Sequence, residues 1–139
     1  DFHSNIENIW DKIQDVDTLR EICRPKASFI SCDDSPMLWE EGRSFVFKLF
    51  LHGFLPVGRH TINVVKMDKA SREIDTKEYN DTIIIWNHYI KMEEISQQVT
   101  RYTDTVDLYA GCFTSIAAWW TLKFYKHRQR KWQIIAKSL

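Results

Sequence analysis

Six segments with a two-residue period, uninterrupted by any helical segment, constrain the fold more than any other feature of the chain. These segments span 26–32, 43–52, 59–68, 72–79, 82–94 and 98–109. The residues between them are typical of turns: Asp33-Asp34-Ser35-Pro36, a 53–58 loop that contains Pro56, Lys69-Ala70-Ser71 and Asn80-Asp81. Strands that follow one another this closely pair with their neighbours, so the pattern predicts an antiparallel meander.

Two short helices are predicted before the strands. Ser4 is a suitable N-cap for the first helix, with Glu7 at the capping-box spacing. The apolar stripe of this helix consists of Ile6, Ile9, Trp10 and Ile13. Asp17 is a suitable N-cap for the second helix. The Arg24-Pro25 step should end that helix, because a residue before proline disfavours the α conformation.

The segment that follows Gly111 contains neither proline nor glycine and predicts one long C-terminal helix. About 26 residues that rise about 1.5 Å each make a rod of about 40 Å, which is long enough to cross a sheet. Its expected apolar face consists of Phe113, Ile116, Ala117, Trp120, Phe124 and Ile135. The predicted class is therefore α+β, with a curved antiparallel sheet wrapped around the last helix in a single domain over residues 1–139.

Composition and charge argue against several classes of protein. The 139 residues include 19 basic and 19 acidic side chains, so the formal net charge is zero and no nucleic-acid partner is expected. No apolar run is long enough to span a membrane. Cys23, Cys32 and Cys112 lack the spacing of a disulfide framework or a zinc ribbon, which favours reduced thiols and a cytoplasmic location. No cofactor is expected.

Several motifs resemble the START-like, or SRPBCC, superfamily. They are IENIWDKIQDVDTL near the start, Trp86-x-His88, Thr103-Asp104-x-Val106 and Phe124-Tyr125-x-x-Arg128. The resemblance covers essentially the whole chain and implies the helix-grip fold of birch-pollen-allergen-like and polyketide-cyclase-like proteins. It also implies a cavity between the sheet and the last helix that takes up apolar small molecules. Such proteins begin with a β-strand where this chain has only Asp1 to Ser4, so a seventh, N-terminal strand is expected to be missing from the sequence.

The strand predicted at 82–94 carries a histidine on its apolar side. Its even positions share one face and read Ile84, Trp86, His88, Ile90 and Met92. The next strand should direct its own even positions, among them Tyr102, Asp104 and Val106, to the same side, because its odd positions are polar. A three-residue loop of Ile95-Ser96-Gln97 would set His88 directly opposite Asp104, and a neighbouring even register would leave the two residues diagonal.

The His88 and Asp104 pair allows two interpretations. Arg128 in the last helix could complete a buried His88–Asp104–Arg128 network that only locks the helix to the sheet. Alternatively, Asp104 holds His88 for proton transfer to or from a bound carbonyl compound. No serine or cysteine nucleophile with a placed base is visible. No metal is expected, because the five histidines lack metal-ligand spacing, and His52 and His60, which flank one loop, lack a third ligand.

The expected function is the binding of an apolar or aromatic small molecule, lipid-like or polyketide-like, between the sheet and the last helix. The side chains expected to line this cavity are those of Trp86, His88, Ile90, Met92, Tyr102, Asp104, Val106, Phe113, Trp120 and Phe124. The alternative is a lyase of the polyketide cyclase or aromatase type that uses His88 and Asp104. A homodimer is also compatible with the sequence, because Trp119 must lie off the apolar stripe of its helix and strand 45–51 is apolar on both faces.

Overall fold

The computed structural model of this protein describes residues 1–34 and 37–139. In chain order the elements are α1 (Ile6–Ile13), α2 (Val16–Cys23), β1 (Ala27–Ser31), β2 (Ser44–Leu51), β3 (Leu55–Asp68), β4 (Glu73–Asn80), β5 (Ile85–Ser96), β6 (Val99–Tyr109), a 3-10 turn (Gly111–Phe113) and α3 (Thr114–Ala136). This order confirms the predicted α+β class. Of the turn predicted at 33–36, Ser35 and Pro36 lie outside the described residues.

Both N-terminal helices form where they were predicted, but each begins at a different cap. Asn5 caps α1, because its side chain accepts a hydrogen bond from the Asn8 backbone N–H. The predicted cap, Ser4, is instead buried, and its carbonyl oxygen accepts a hydrogen bond from Thr100 Oγ1. Asp15, rather than Asp17, caps α2. The helix ends at the Arg24-Pro25 step as predicted.

The six strands form one curved, open, antiparallel sheet in which every strand pairs with its neighbours in sequence. Register shifts interrupt three of the five pairings, and such bulges bend a sheet. β3 begins at Leu55, four residues earlier than predicted, and includes Pro56. Proline is tolerated there because β3 pairs only with β2 before His60, so no ladder hydrogen bond is lost on the other side.

The N-terminal residues run beside the outer edge of β6. Phe2 forms an antiparallel bridge with Thr100, with reciprocal backbone hydrogen bonds of 2.8 and 3.0 Å. The Phe2 ring packs against Tyr102 and Trp132, with ring centroids 5.0 and 5.9 Å away. This aromatic cluster joins the chain's start to β6 and to the C-terminal half of α3.

The buried face of α3 differs from the predicted apolar stripe. Phe124 and Ile135 are buried and Ala117 and Trp120 are partly buried, as expected, but Phe113 and Ile116 are 60% and 68% exposed. Phe113 belongs to the 3-10 turn, whose tighter winding changes the direction of its side chain. The other side chains that α3 buries are those of Thr121, Tyr125, Arg128, Trp132 and Ala136. The helix therefore buries two polar residues that the apolar pattern did not include.

Candidate functional site

The register between β5 and β6 is not the predicted one. His88 pairs with Val106, and Asp104 pairs with Ile90, because a two-residue turn at Gln97 and Gln98, together with a bulge between Glu94 and Ser96, replaces the expected three-residue loop. The shift is two residues, so both side chains keep the face that the sequence predicted. They still meet diagonally, with His88 Nε2 2.7 Å from Asp104 Oδ1.

A buried chain of polar side chains crosses the concave face of the sheet from β3 to α3. We call it the polar chain, and its members are Asn80, His60, Glu78, His88, Asp104 and Gln129. Asn80 Nδ2 lies 3.0 Å from His60 Nδ1, and His60 Nε2 lies 2.8 Å from Glu78 Oε2. Glu78 Oε1 faces His88 Nδ1 at 3.9 Å. At the far end, Gln129 Nε2 donates to Asp104 Oδ2 at 3.0 Å.

The hydrogen bonds at one end of the polar chain assign the tautomer of His60. Asn80 Oδ1 accepts from the backbone N–H groups of Thr82 and Ile83, so the amide nitrogen of Asn80 is the group that faces His60. That nitrogen donates to His60 Nδ1, which must carry a lone pair. His60 Nε2 then carries the hydrogen and donates to Glu78. Both ring nitrogens of His60 are thus hydrogen-bonded with a single ring hydrogen, and the residue is only 1% exposed.

His88 differs from His60 because one of its ring nitrogens makes no hydrogen bond in the described part of the chain. Its Nε2 donates to the Asp104 carboxylate, whereas Nδ1 faces Glu78 at 3.9 Å, too far for a hydrogen bond. The edge of the ring also packs against Tyr125, with ring centroids 5.0 Å apart. The orientation of His88 is therefore set by Asp104 and Tyr125, and Nδ1 has no hydrogen-bond partner among the described residues.

Both carboxyl groups of the polar chain have lowered pKa values. Burial acts to raise the pKa of Glu78, but the hydrogen bond from His60 and the positive charge that His60 and His88 carry when protonated outweigh it. Burial likewise acts to raise the pKa of Asp104, and the hydrogen bond and charge of His88 together with the charge of Arg128 outweigh it. Both groups are therefore carboxylates at neutral pH.

Arg128 lies near the polar chain but is not hydrogen-bonded to it. The predicted His88–Asp104–Arg128 network is wrong in this respect, because the neighbouring Gln129 makes the contact from α3 to Asp104. Successive residues of a helix point about 100° apart, so only one of the two can face Asp104 directly. The guanidinium of Arg128 lies instead against the Tyr125 ring, 4.7 Å from its centroid.

A cavity of about 70 Å³ lies between the concave face of the sheet, α2 and α3. Its walls are mostly apolar, with polar groups from Thr18, His60, Thr76, Glu78, His88 and Arg128. Four of the predicted lining residues belong to this wall: Trp86, His88, Ile90 and Phe124. The remaining wall residues come mainly from α2 and from β3 and β4, including Leu19, Ile22, Ile62, Val64 and Ile74. The cavity thus lies closer to α2 than the sequence predicted.

The other predicted lining residues lie outside the wall of this cavity. Met92 and Tyr102 are buried in the core, and the Tyr102 ring lies 5.9 Å from Trp132. Trp120 stacks on Phe124 at 4.8 Å, and Phe113 is exposed. Asp104 and Val106 line a separate surface groove between β6 and α3. Tyr102, Asp104 and Val106 belong to β6, the last strand of the sheet, whereas the cavity lies under the middle of the sheet.

Glu78 was not identified from the sequence as a site residue, and His60 was considered only together with His52. Glu78 shares its face of β4 with Ile74, Thr76 and Asn80, all of which are buried. The alternation that begins at Ile74 was the available signal, because it places Glu78 on the inner side. His60 does not pair with His52, since both of its ring nitrogens are engaged by Asn80 and Glu78. In the described residues, no group of three or more His, Cys, Asp or Glu side chains is placed to hold a metal ion.

The cysteine nearest the site is not an activated nucleophile. Cys23 is fully buried at the end of α2, and burial raises the pKa of its thiol to about 12. The thiol is therefore protonated at neutral pH.

Comparisons with known proteins show likeness in fold only. No protein-family model matches the chain, and no curated protein matches it in sequence. The structure is similar to the crystal structure of protein Ms6760 from Mycobacterium smegmatis, with a TM-score of 0.68, 12% identity, and coverage of 96% of this chain and 85% of that one. It is also similar to a Staphylococcus epidermidis protein solved by NMR in a structural genomics programme, with a TM-score of 0.69, 11% identity, and coverage of 99% and 85%.

Proposed function

We propose that this protein binds a small apolar or aromatic molecule in the cavity between its sheet, α2 and α3. The observation that carries the proposal is a mostly apolar cavity whose wall includes a few polar groups, among them His88, Glu78 and Arg128. The α+β fold and the motifs around Trp86 and Phe124 support the further proposal that the chain is a START-like, or SRPBCC, ligand-binding domain. The free thiols of Cys23, Cys32 and Cys112 support a cytoplasmic location for it.

The size of the cavity limits the ligand. A space of about 70 Å³ accommodates a few water-sized groups. An engineered apolar cavity of about 150 Å³ takes up benzene, so a single aromatic ring requires the wall side chains to rotate outwards. A lipid-like or polyketide-like ligand requires Trp39 and the side chains of α2 to move away from the sheet. We expect small aromatic compounds to be the most informative first probes. In the described residues, no helix is both long and apolar enough to cross a membrane.

Indole is expected to bind with a dissociation constant on the order of 0.1 mM, from the usual free energy per ligand atom in an apolar pocket. Val64 lines the cavity, and Val64→Phe should abolish binding because the added ring occupies the same space. Its neighbour Val65 is 46% exposed, so Val65→Phe is the matched control and should bind indole normally. Amide chemical shifts in an NMR titration measure the indole affinity of each variant. The proposal fails if indole shifts no cavity residue, or if both variants bind it equally.

A second candidate function is proton transfer by a lyase of the polyketide cyclase or aromatase type. The observation that favours it is His88 Nδ1, a ring nitrogen of the cavity wall for which residues 1–34 and 37–139 provide no hydrogen bond. Asp104 on the opposite nitrogen would orient the ring and stabilise its protonated form, as required of a general base. The same contact also suits a purely structural histidine, so the lyase is placed second.

We also propose that the protein forms a homodimer through the first half of α3. Four apolar side chains follow one another there at a spacing of three residues and are 58–68% exposed: Phe113, Ile116, Trp119 and Leu122. Trp119 thus lies off the buried face, as the sequence predicted. The second face of strand 45–51 is only half-buried at Val46 and Phe50 and is the other expected contact.

Trp119→Glu should convert such a dimer into a folded monomer, because a carboxylate without a partner is unfavourable in an apolar contact. Ile134→Glu is the control, since Ile134 is 69% exposed near the other end of the same helix. Light scattering with size-exclusion chromatography measures the mass of each protein. A parent protein that is monomeric at about 100 µM, well above the dissociation constant of a stable dimer, would remove the homodimer from consideration.

A further inference from the structure

Arg128 is a buried cation whose hydrogen-bonding groups have no partner in the described part of the chain. The residue is 7% exposed, and its Nε is buried without a hydrogen bond. The structure describes no hydrogen bond or ion pair from either terminal nitrogen of the guanidinium. Its contacts are with two aromatic rings, Tyr125 at 4.7 Å and Phe124 at 5.8 Å from the ring centroids. Arginine stays charged in proteins, so the guanidinium keeps a full positive charge without an acceptor among the described residues, and its Nε is completely buried in that state.

The nearby carboxylates do not supply that acceptor, since no ion pair or hydrogen bond joins them to Arg128 among the described residues, and each of them accepts from other groups. Glu78 accepts from Thr76 through Oε1 and from His60 through Oε2. Asp104 accepts from His88 through Oδ1 and from Gln129 through Oδ2. The two carboxylates therefore offset the charge of Arg128 only at longer range.

Arg128 also belongs to the wall of the cavity. An unpaired buried charge is unfavourable, and a planar guanidinium is best satisfied by the two oxygens of a carboxylate. Most of the rest of the wall is apolar and aromatic, which suits the hydrocarbon part of a ligand, and its other polar members are Thr18, His60, Thr76, Glu78 and His88. The unpaired guanidinium and the apolar side chains line the same cavity.

We propose that the natural ligand of this cavity is a small aromatic or branched-alkyl carboxylic acid, bound as the anion with its carboxylate on Arg128. This inference rests on the proposed binding function and adds the charge and chemical class of the ligand to it. The acid's apolar part lies against Phe124, Ile90 and the side chains of α2. His88 and His60 line the same cavity.

The test compares an acid with a neutral molecule of the same shape. The probes are 3-phenylpropionate and 3-phenylpropionamide, and dissociation constants are measured at pH 7 by NMR titration. The parent protein should bind the acid at least about tenfold more tightly than the amide, which is the usual difference for a charge-assisted pair. Arg128→Met should reduce this preference to about one without weakening the amide. Arg128→Lys should retain part of it, because lysine keeps the charge but lacks the planar fork.

Arg130→Met is the matched control, since Arg130 is exposed on the same helix and should leave the preference unchanged. Equal binding of acid and amide to the parent would overturn the inference while leaving the apolar binding function intact. A preference that survives in Arg128→Met would overturn it in the same way. If neither probe binds and indole also fails to bind, the binding function itself is wrong. Should Arg128→Met not fold, the acid-to-amide ratios of the parent and of Arg128→Lys decide the question.

Discussion

Glu78→Ala is expected to lower the free energy of unfolding by about 3 kcal/mol, because it breaks a buried, charged hydrogen-bond network. The substitution removes the acceptor for His60 Nε2 and for the Thr76 hydroxyl, both of which are buried. It also removes the negative charge that faces His88 Nδ1. Urea denaturation at pH 7, followed by tryptophan fluorescence, measures the loss.

Glu73→Ala is the matched control on the same strand. Glu73 pairs with Lys66 and Lys91 near the surface, and such pairs contribute at most about 1 kcal/mol. If the two alanine variants lose equal stability, the polar chain does not stabilise the fold as described.

The effect of Glu78→Ala should also depend on pH in a defined direction. The pKa of Glu78 in the folded protein is lowered from its ordinary value of 4.5, so its charge contributes stability that is fully present above that value. This contribution is lost as the pH falls through the lowered folded-state pKa. The stability difference between the parent and Glu78→Ala should therefore be smaller at pH 3 than at pH 7. A difference that widens on acidification would contradict a lowered pKa.

His88→Ala is expected to lower the free energy of unfolding by about 1–3 kcal/mol, because Asp104 then stays buried with one hydrogen-bond partner fewer. His88→Gln should recover much of this loss, since its side-chain amide can donate to Asp104 Oδ1 in place of Nε2. His3 is exposed, and His3→Ala should change stability by less than about 0.5 kcal/mol. Denaturation midpoints of the three variants at pH 7 test the structural role of His88.

The same variants separate the structural role from proton transfer. Glutamine does not titrate near neutral pH, so a lyase that uses His88 as a base would lose turnover in His88→Gln even when the fold is intact. The assay follows an aromatic 1,3-dicarbonyl compound by absorbance, with the parent protein and both variants. If the variants are as stable as the parent but have lost turnover, the result favours the lyase function over simple ligand binding. Absence of turnover in the parent, together with recovery of stability in His88→Gln, favours a structural His88.

The order and type of the elements could be predicted because local patterns determine them. The six period-two segments became six strands, and the uninterrupted segment after Gly111 became the last helix. The inner face of β5 was predicted for the same reason, and Trp86, His88, Ile90 and Met92 are all buried. Alternation along a strand decides which side chains share a face, and it does so without information from distant parts of the chain.

The partners within the site could not be predicted in the same way. A shift of two residues between β5 and β6 leaves every side chain on its face, so the pattern alone did not distinguish Val106 from Asp104 as the residue opposite His88. The turn at Gln97 and Gln98 together with the bulge between Glu94 and Ser96 sets the observed register. Likewise, His60 and Glu78 are 18 residues apart in sequence and meet only because β3 and β4 pair in one register.

Local patterns were enough to predict the α+β fold class, the six-strand meander and a histidine with a carboxylate on the inner face. Three features depend on tertiary packing: Gln129 and not Arg128 contacts Asp104, Glu78 lies between the two histidines, and the cavity lies beside α2. Periodicity is a local property of the chain and carries no information about these contacts. The rotation of α3 and the pairing of β3 with β4 follow instead from packing the whole apolar core at once, and that packing left Arg128 in the cavity wall without a partner in the described residues.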